Sequence, residues 1–294
     1  MRISVYLPLL LSVALAWCAP AVARRLAPAV AARVLTAGAV LVALGSTWGL
    51  LLLALTLLNW TPFAQERTPV ADPVPSGIAV AALVLLVTAV CRALRAARVR
   101  AQTERALEII CSLCPPHSEL AVLDDPLVQA YAVPGRPGRI LVSSGLLRAT
   151  TPRDRHVVLA HERAHLRHDH HRLRALTELA AAVNPLLLPA RDAVAYLVER
   201  WADEAAAKET GSREQVAAAL ARVALATSAS APGSPALAFH RHAVVERVVA
   251  LQAPCPPDRW TLAAATLALA GLTAVCEADA TLAFGRLVRQ LLGG

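Results

Sequence analysis

The residues best suited to chemistry lie in one short stretch, Val158 to Leu166, which reads VLAHERAHL. On a helix, His161 and His165 lie one turn apart on the same face, so both imidazoles can bind one metal ion. Glu162 lies about 100° around that helix from His161, where it can reach a water in an open coordination position without binding the ion. This spacing predicts a zinc site with a general base, as metal-assisted hydrolysis requires.

A catalytic zinc site needs a third protein ligand, and a second helix predicted from about residue 190 offers one. On that helix Glu199 and Asp203 share a face, so Glu199 can bind the metal while Asp203 accepts the free N–H of a ligand histidine. The alternative is that these acids only pair with Arg200 and its neighbours on a solvated face. The upstream histidines favour the ligand interpretation.

The elements that must position these residues can be read from the flanking sequence. Thr151 followed by Pro152 predicts the N-cap and first position of the motif helix. Between residues 119 and 150, short extended pieces separated by turn residues predict a small antiparallel sheet or hairpin. Within it, Ile140 to Ser143 is expected to present an edge strand on which an extended substrate adds by β-augmentation.

The composition indicates that this unit is attached to a membrane. Of the 294 residues, 56% are hydrophobic and 17% are charged, and the mean hydropathy is +0.51, which is far from the average of soluble proteins. Apolar runs predict four transmembrane helices, at about residues 3–23, 36–58, 73–91 and 260–276. A competing interpretation makes the first run a cleaved signal peptide, but its length and the arginines after it favour a retained span.

The distribution of basic residues predicts the orientation. Arg24, Arg25 and Arg33 follow the first span, and five arginines between residues 92 and 105 follow the third. The positive-inside rule places both segments in the cytoplasm. The chain is therefore divided into a membrane domain (1–97), a cytosolic catalytic domain (98–259) and a fourth span with a short tail (260–294).

The formal net charge of +8 raises the question of a nucleic-acid partner. Lys208 is the only lysine, and many of the arginines flank apolar runs, so the lipid bilayer explains the basic charge better. No direct binding of nucleic acid is expected, and the partners predicted are the bilayer and a protein substrate.

Several other residues have open interpretations. The histidines near the motif could form an accessory metal or haem site, but a basic helix end facing phospholipid or solvent is favoured. Either His168 or His170 could stabilise an oxyanion. The histidines concerned in the accessory site are His156, His168, His170 and His171.

Cys111 and Cys114 form an isolated CxxC pair that is best explained as two ordinary thiols. The helix around residues 246–251 is interpreted as an amphipathic helix that leads into the last span.

The motifs together resemble a known family. The stretch His161 to Asp169 is similar to the HELAHxRRxD motif of the BlaR/MecR-type membrane zinc peptidases, and residues 184–186 and 199–204 resemble their NPL and ExxCDE segments. Residues 129–147 resemble a pattern shared with the HtpX and CaaX prenyl protease family. The resemblance implies an α-helical polytopic membrane protein with a small α+β zincin-like (gluzincin) cytosolic domain.

The same resemblance implies an activity. It implies a zinc endopeptidase with one zinc ion per chain, held by His161, His165 and Glu199, with Glu162 and Asp203 as catalytic residues. The substrate implied is a winged-helix repressor of the BlaI/MecI type, cleaved in regulated proteolysis. Arg163 and Ala202 depart from the family pattern, and the missing penicillin-binding sensor domain means that β-lactam sensing is not expected.

Two other functions remain as alternatives. The first is a membrane quality-control protease of HtpX type. The second, from a different class, is a catalytically silent sensor or scaffold whose zinc only holds helices together. Glu162 discriminates between enzyme and scaffold, because a structural zinc site has no use for an unligated carboxylate beside an open position.

Overall fold

The computed structural model describes residues 6–57, 74–112, 118–135, 137–230 and 235–292. These residues form long helices at both ends of the chain and a small sheet followed by shorter helices between them. In chain order the elements are α1 (Leu7–Arg25), α2 (Pro28–Leu55), α3 (Ser76–Ser112), β1 (Leu120–Leu123), β2 (Ala130–Val133), β3 (Arg139–Ser143), α4 (Ser144–Ala149), α5 (Pro152–Arg167), α6 (His170–Val183), α7 (Leu188–Thr210), α8 (Arg213–Ser230), α9 (Pro235–Gln252) and α10 (Trp260–Leu292).

Four of these helices are long and apolar enough to cross a membrane, namely α1, α2, α3 and α10. They coincide with the four predicted spans, although residues 3–5 and 58–73 lie outside the described part of the chain. The helix α10 extends well beyond the predicted end at residue 276 and continues through Glu277 and Asp279. Glu277 is buried within the described structure, so these acids do not mark the end of the helix.

The helices α2 and α10 pack closely and run in the same direction. A Cβ at Gly45 would lie 3.0 Å from the Cβ of Thr273, so the missing side chain permits the close approach. Further along both helices, the Trp48 indole donates a hydrogen bond of 2.8 Å to the Thr281 hydroxyl. Small residues that admit a neighbouring backbone are typical of helix contacts in membranes. If both helices span, they cross the bilayer in the same sense.

The largest buried core joins the membrane helices to the helices that follow the sheet. Most of its members come from α1, α2, α6, α7 and α10, and Leu26 and Leu187 of the connecting segments complete it. The helix α7 contributes Val194, Leu197 and Val198, each fully buried. Because burial of such side chains stabilises by about 1.5–3 kcal/mol each, the position of α7 is set by the membrane bundle.

The sheet has three strands in the order β1-β3-β2. The strand β2 pairs antiparallel with β3, as predicted, but β1 pairs parallel with β3, so the prediction of a purely antiparallel sheet is wrong. The prediction that Ile140 to Ser143 presents an edge is also wrong, because these residues belong to the central strand. Its successive side chains Ile140, Leu141 and Val142 are all buried, a pattern that suits a strand covered on both faces.

The helix α5 begins at the predicted cap. The Thr151 side chain accepts a hydrogen bond from the Asp154 backbone, the Asp154 carboxylate accepts one from the Thr151 backbone, and Pro152 occupies the first turn. Asp154 also accepts hydrogen bonds from Arg222 of α8. The guanidinium of Arg222 lowers the pKa of Asp154. A single buried carboxylate thus caps α5 and ties it to α8.

Replacing Asp154 by Asn is expected to lower the free energy of unfolding by about 1–3 kcal/mol. The reason is that the neutral amide removes the negative charge that Arg222 pairs with and leaves one acceptor oxygen in place of two. The depressed pKa of Asp154 means that its contribution is present above the ordinary value of about 3.9 and is lost as the pH falls through the lower folded value. Thermal unfolding of the detergent-solubilised protein measures both effects. Asp192→Asn, which alters an exposed pair with Arg191, is the matched control. Equal unfolding temperatures for the two variants would contradict the assignment.

Candidate metal centre

The structure brings the two motif histidines and Glu199 together where α5 packs against α7. The Nε2 atoms of His161 and His165 lie 3.1 Å apart. The Glu199 carboxylate lies 3.4 Å from His161 Nε2 and 3.7 Å from His165 Nε2. Donors about 2.1 Å from one ion at tetrahedral angles lie about 3.4 Å apart. Two imidazoles and a carboxylate at these separations therefore fit a zinc ion.

The surroundings of the two histidines suit a cation. The Nδ1 of His161 lies 3.1 Å from Asp203 Oδ1, so the ring presents Nε2 to the donor set and donates from Nδ1. Burial lowers the pKa of His161, but hydrogen bonds to Asp203 and Glu199 outweigh burial and raise it to about 10. Burial lowers the pKa of His165 to about 4, which keeps that ring neutral. The carboxylates thus favour positive charge at this point.

Arg247 of α9 is a site residue that the sequence analysis missed. Its guanidinium donates to both oxygens of Asp203, at 2.6 and 2.7 Å, and lies 3.2 Å from Glu199. Burial raises the pKa of Asp203, but Arg247 outweighs burial and lowers it to about 2. The one signal in the sequence is an arginine inside a valine-rich stretch, Val244 to Val249, that was interpreted as an amphipathic helix.

Glu162 lies beside the donor set and is not a member of it. Its carboxylate accepts a hydrogen bond from the Ala132 backbone of β2, and burial raises its pKa. It lines the same cleft as His161 and Glu199. A carboxylate with a raised pKa beside a metal-binding set is suited to take and return a proton.

The cleft in front of the site has a volume of about 530 Å³. Its polar end contains His161, Glu162, Glu199, Asp203 and Arg247. Part of β2 and the residues just before it border the cleft, and β2 is an edge strand of the sheet. The remaining walls are mainly aliphatic and come from α4, α5 and α8, with Leu146, Val157, Val158, Val216, Leu220 and Val223 among them.

The neighbouring histidines do not face this cleft. His170 is buried, and its Nδ1 lies 2.9 Å from His165 Nδ1. Burial lowers the pKa of His170 to about 3. His168 stacks on Trp201, with ring centroids 4.6 Å apart. The expectation that one of them meets a substrate oxyanion is therefore wrong for this arrangement.

Three further sequence interpretations have structural outcomes. Among the described residues, the accessory metal site is not formed, because only His161, His165 and Glu199 make a group that could hold an ion. Arg163 pairs with Glu119 at 3.0 Å and does not line the cleft. Cys114 lies outside the described residues, so the CxxC pair cannot be placed.

Comparison with known proteins supports the metalloprotease interpretation at the family level. The model of Peptidase family M48 matches residues 93–255, a range of 163 of the 294 residues that contains the whole site. No curated protein and no solved structure matches the chain. The narrower resemblance to BlaR/MecR-type receptors stays a prediction. With more than half of its length matched, the chain belongs to peptidase family M48, a family of metal-dependent proteases.

Proposed function

We propose that this protein is a membrane zinc endopeptidase in which His161, His165 and Glu199 hold one zinc ion and Glu162 is the general base. The observation that supports the proposal most directly is the set of three donors 3.1–3.7 Å apart with Glu162 beside it. Asp203 positions His161 through its Nδ1 and is itself held by Arg247. The family match supports a metalloprotease of this kind.

The residues of the site divide the reaction between them. A zinc ion bound there supplies Lewis acidity toward a peptide carbonyl and toward water. Glu162 removes a proton from the water as its oxygen attacks the carbonyl carbon. As the carbon–nitrogen bond breaks, Glu162 delivers that proton to the leaving amine nitrogen. Asp203 and Arg247 keep the His161 ring in one orientation throughout.

The edge strand β2 is the proposed binding site for an extended polypeptide. It borders the cleft, and its Ala132 backbone is bonded to Glu162. An extended chain added to β2 would place its peptide groups next to the base, the mode known as β-augmentation. This role moves from β3, where the sequence analysis placed it, to β2.

The proposed zinc site is tested by its ligands. His161→Ala, His165→Ala and Glu199→Ala are each expected to remove most of the bound zinc, because a catalytic site keeps only three protein ligands. Asp203→Ala is expected to weaken zinc binding about 10- to 100-fold. Metal analysis of purified protein measures the occupancy, and His156→Ala, an exposed histidine on the same helix, is the control. Full zinc in Glu199→Ala would place the third ligand elsewhere.

The proposed orientation puts residues 98–259 in the cytoplasm and both termini outside. The arginine distribution supports it, and the parallel packing of α2 and α10 agrees with spans that alternate in direction. A reporter fused after Gly211 is expected to be active only in its cytoplasmic form, and one at Thr68 only in its exterior form. An exterior-active fusion at Gly211 would reverse the topology.

We propose a cytosolic protein as the substrate, and the sequence resemblance to BlaR/MecR-type peptidases suggests a winged-helix repressor of the BlaI/MecI type. The second candidate is a quality-control protease, supported by the resemblance of residues 129–147 to the pattern shared with the HtpX family. Crosslinking substrates to the Glu162→Gln variant in native membranes separates the two. A single repressor in the trap supports regulated proteolysis, whereas many unrelated membrane proteins support quality control.

A further inference from the structure

The two histidines of the proposed zinc site have different partners behind them. His161 donates from Nδ1 to a carboxylate, that of Asp203. His165 has another imidazole behind it, that of His170, at 2.9 Å between the Nδ1 atoms. His170 is 1% exposed and takes no part in the cleft.

We infer that His170 is a positioning residue for the metal ligand His165, and that Trp201 and the membrane-helix residue Arg33 hold it in place. The inference rests on the proposed zinc site. It assigns a role to His170 that neither the motif nor the donor set requires.

The hydrogen bonds of the two rings determine which nitrogen of each ring carries the proton. His165 directs Nε2 at His161 and Glu199, so its proton resides on Nδ1. His170 therefore accepts at Nδ1 and carries its own proton on Nε2. That Nε2 is buried and has no hydrogen-bond partner among the described residues. Buried polar atoms are seldom left unpaired. Here the hydrogen bond that His170 accepts at Nδ1 places the ring proton on Nε2, even though Nε2 has no partner among the described residues.

A left-handed residue brings His170 back over His165. His170 follows His165 by five positions, a spacing that does not align side chains on one continuous helix. The helix α5 ends at Arg167, and Asp169 adopts φ of 52°, the one non-glycine residue with positive φ among those described. Such a conformation is uncommon outside glycine. It turns the chain so that α6 begins with the His170 ring against His165.

An aromatic cluster supports the His170 ring and continues into the membrane bundle. The rings of His170 and Trp201 lie 4.7 Å apart at 54°, and Trp201 is 8% exposed. On the Trp201 ring lies the guanidinium of Arg33, with Cζ 4.5 Å from the centroid. Arg33 belongs to α2, one of the four membrane-length helices. A contiguous path of side chains thus connects α2 to a proposed zinc ligand.

The experiment compares three variants of the full-length protein in detergent. His170→Leu is expected to weaken zinc binding about 10- to 100-fold, as loss of a partner behind a ligand histidine does, and to change the visible absorption spectrum of the cobalt-substituted protein. His170→Asn places Oδ1 where Nδ1 was, so it still accepts from His165 and restores both readouts. His171→Leu, the neighbouring half-buried histidine, is the matched control and should behave as wild type.

A purely structural role for His170 would not produce this pattern, because Asn and Leu would then be equally damaging. Zinc affinity is measured by chelator competition. A zinc affinity and a cobalt spectrum in His170→Leu that both equal those of wild type would overturn the inference and leave the proposed function intact. Wild-type protein that binds no zinc would overturn the proposed function itself. If His170→Leu does not fold, His170→Gln, which moves the acceptor by one bond, supplies the test with the same expected loss.

The membrane end of the path has its own test. Arg33→Gln removes the cation and is expected to weaken zinc binding about two- to fivefold, the worth of an exposed cation–π contact. Arg33→Lys keeps a cation on the ring and should retain most of the affinity. Equal affinities for wild type and Arg33→Gln would remove Arg33 from the inference.

Discussion

Replacing Glu162 by Gln is expected to reduce proteolysis by about two to four orders of magnitude, the usual contribution of a positioned general base. The substitution keeps the size of the side chain and one acceptor oxygen for the Ala132 backbone, but it removes the group that takes the proton. Glu162 is not a member of the donor set. The zinc content should therefore remain that of wild type, and loss of activity with full occupancy is the expected result.

The measurement is cleavage of a candidate protein substrate in membranes that contain wild type or Glu162→Gln at matched zinc occupancy. Glu178→Gln, an exposed acid on α6, is the control and should cleave at the wild-type rate. Equal cleavage by wild type and Glu162→Gln would exclude the proposed mechanism. Loss of zinc in Glu162→Gln would instead make Glu162 a ligand and require a different base.

Replacing Arg247 by Gln is expected to lower the free energy of unfolding of the zinc-free protein by about 3–5 kcal/mol, the usual cost of removing one partner from a buried charge pair. The buried carboxylate of Asp203 and the half-buried carboxylate of Glu199 would remain without their cation. Added zinc should recover part of the lost stability, because a bound cation restores positive charge beside Glu199.

Thermal unfolding with and without zinc measures both parts of this prediction. Arg191→Gln breaks an exposed ion pair with Asp192 and should change the unfolding temperature little. The low pKa of Asp203 means that the pair stabilises above the ordinary value of about 3.9 and loses this contribution as the pH falls toward 2. Arg247→Gln should therefore also flatten the acid limb of the stability profile. An unchanged acid limb would show that Arg247 does not carry the interaction.

The structure also bears on how a membrane event could reach the site. The helix α7 carries Glu199 and Asp203 on one side and contributes Leu197 and Val198 to the core shared with α1 and α2 on the other. Two residues of the proposed metal site therefore lie on a helix whose packing depends on the membrane bundle. The path from Arg33 through Trp201 to His170 also runs through α7, because Trp201 lies on that helix.

Local pattern in the chain was sufficient for the features that depend on neighbours in sequence. The helical period places His161 and His165 on one face, and the cap at Thr151 and Pro152 follows from the backbone groups that a helix start leaves unpaired. The four membrane-length helices follow from apolar runs long enough for a bilayer. Each of these features depends on residues within a few helical turns of one another, so a short stretch of sequence is enough to predict it.

Contacts between distant segments required the tertiary structure. The strand β1 pairs with β3 and not with β2, which follows β1 in the chain. Which strand becomes the central one depends on which is buried on both faces. Arg247 meets Asp203 across 44 residues, and a single arginine in a valine-rich stretch has no periodic pattern that reveals its partner. His170 reaches His165 only because Asp169 turns the chain out of the helix. Such contacts depend on how whole elements pack, and packing is set by buried area and shape over the entire core, which no local window of sequence contains.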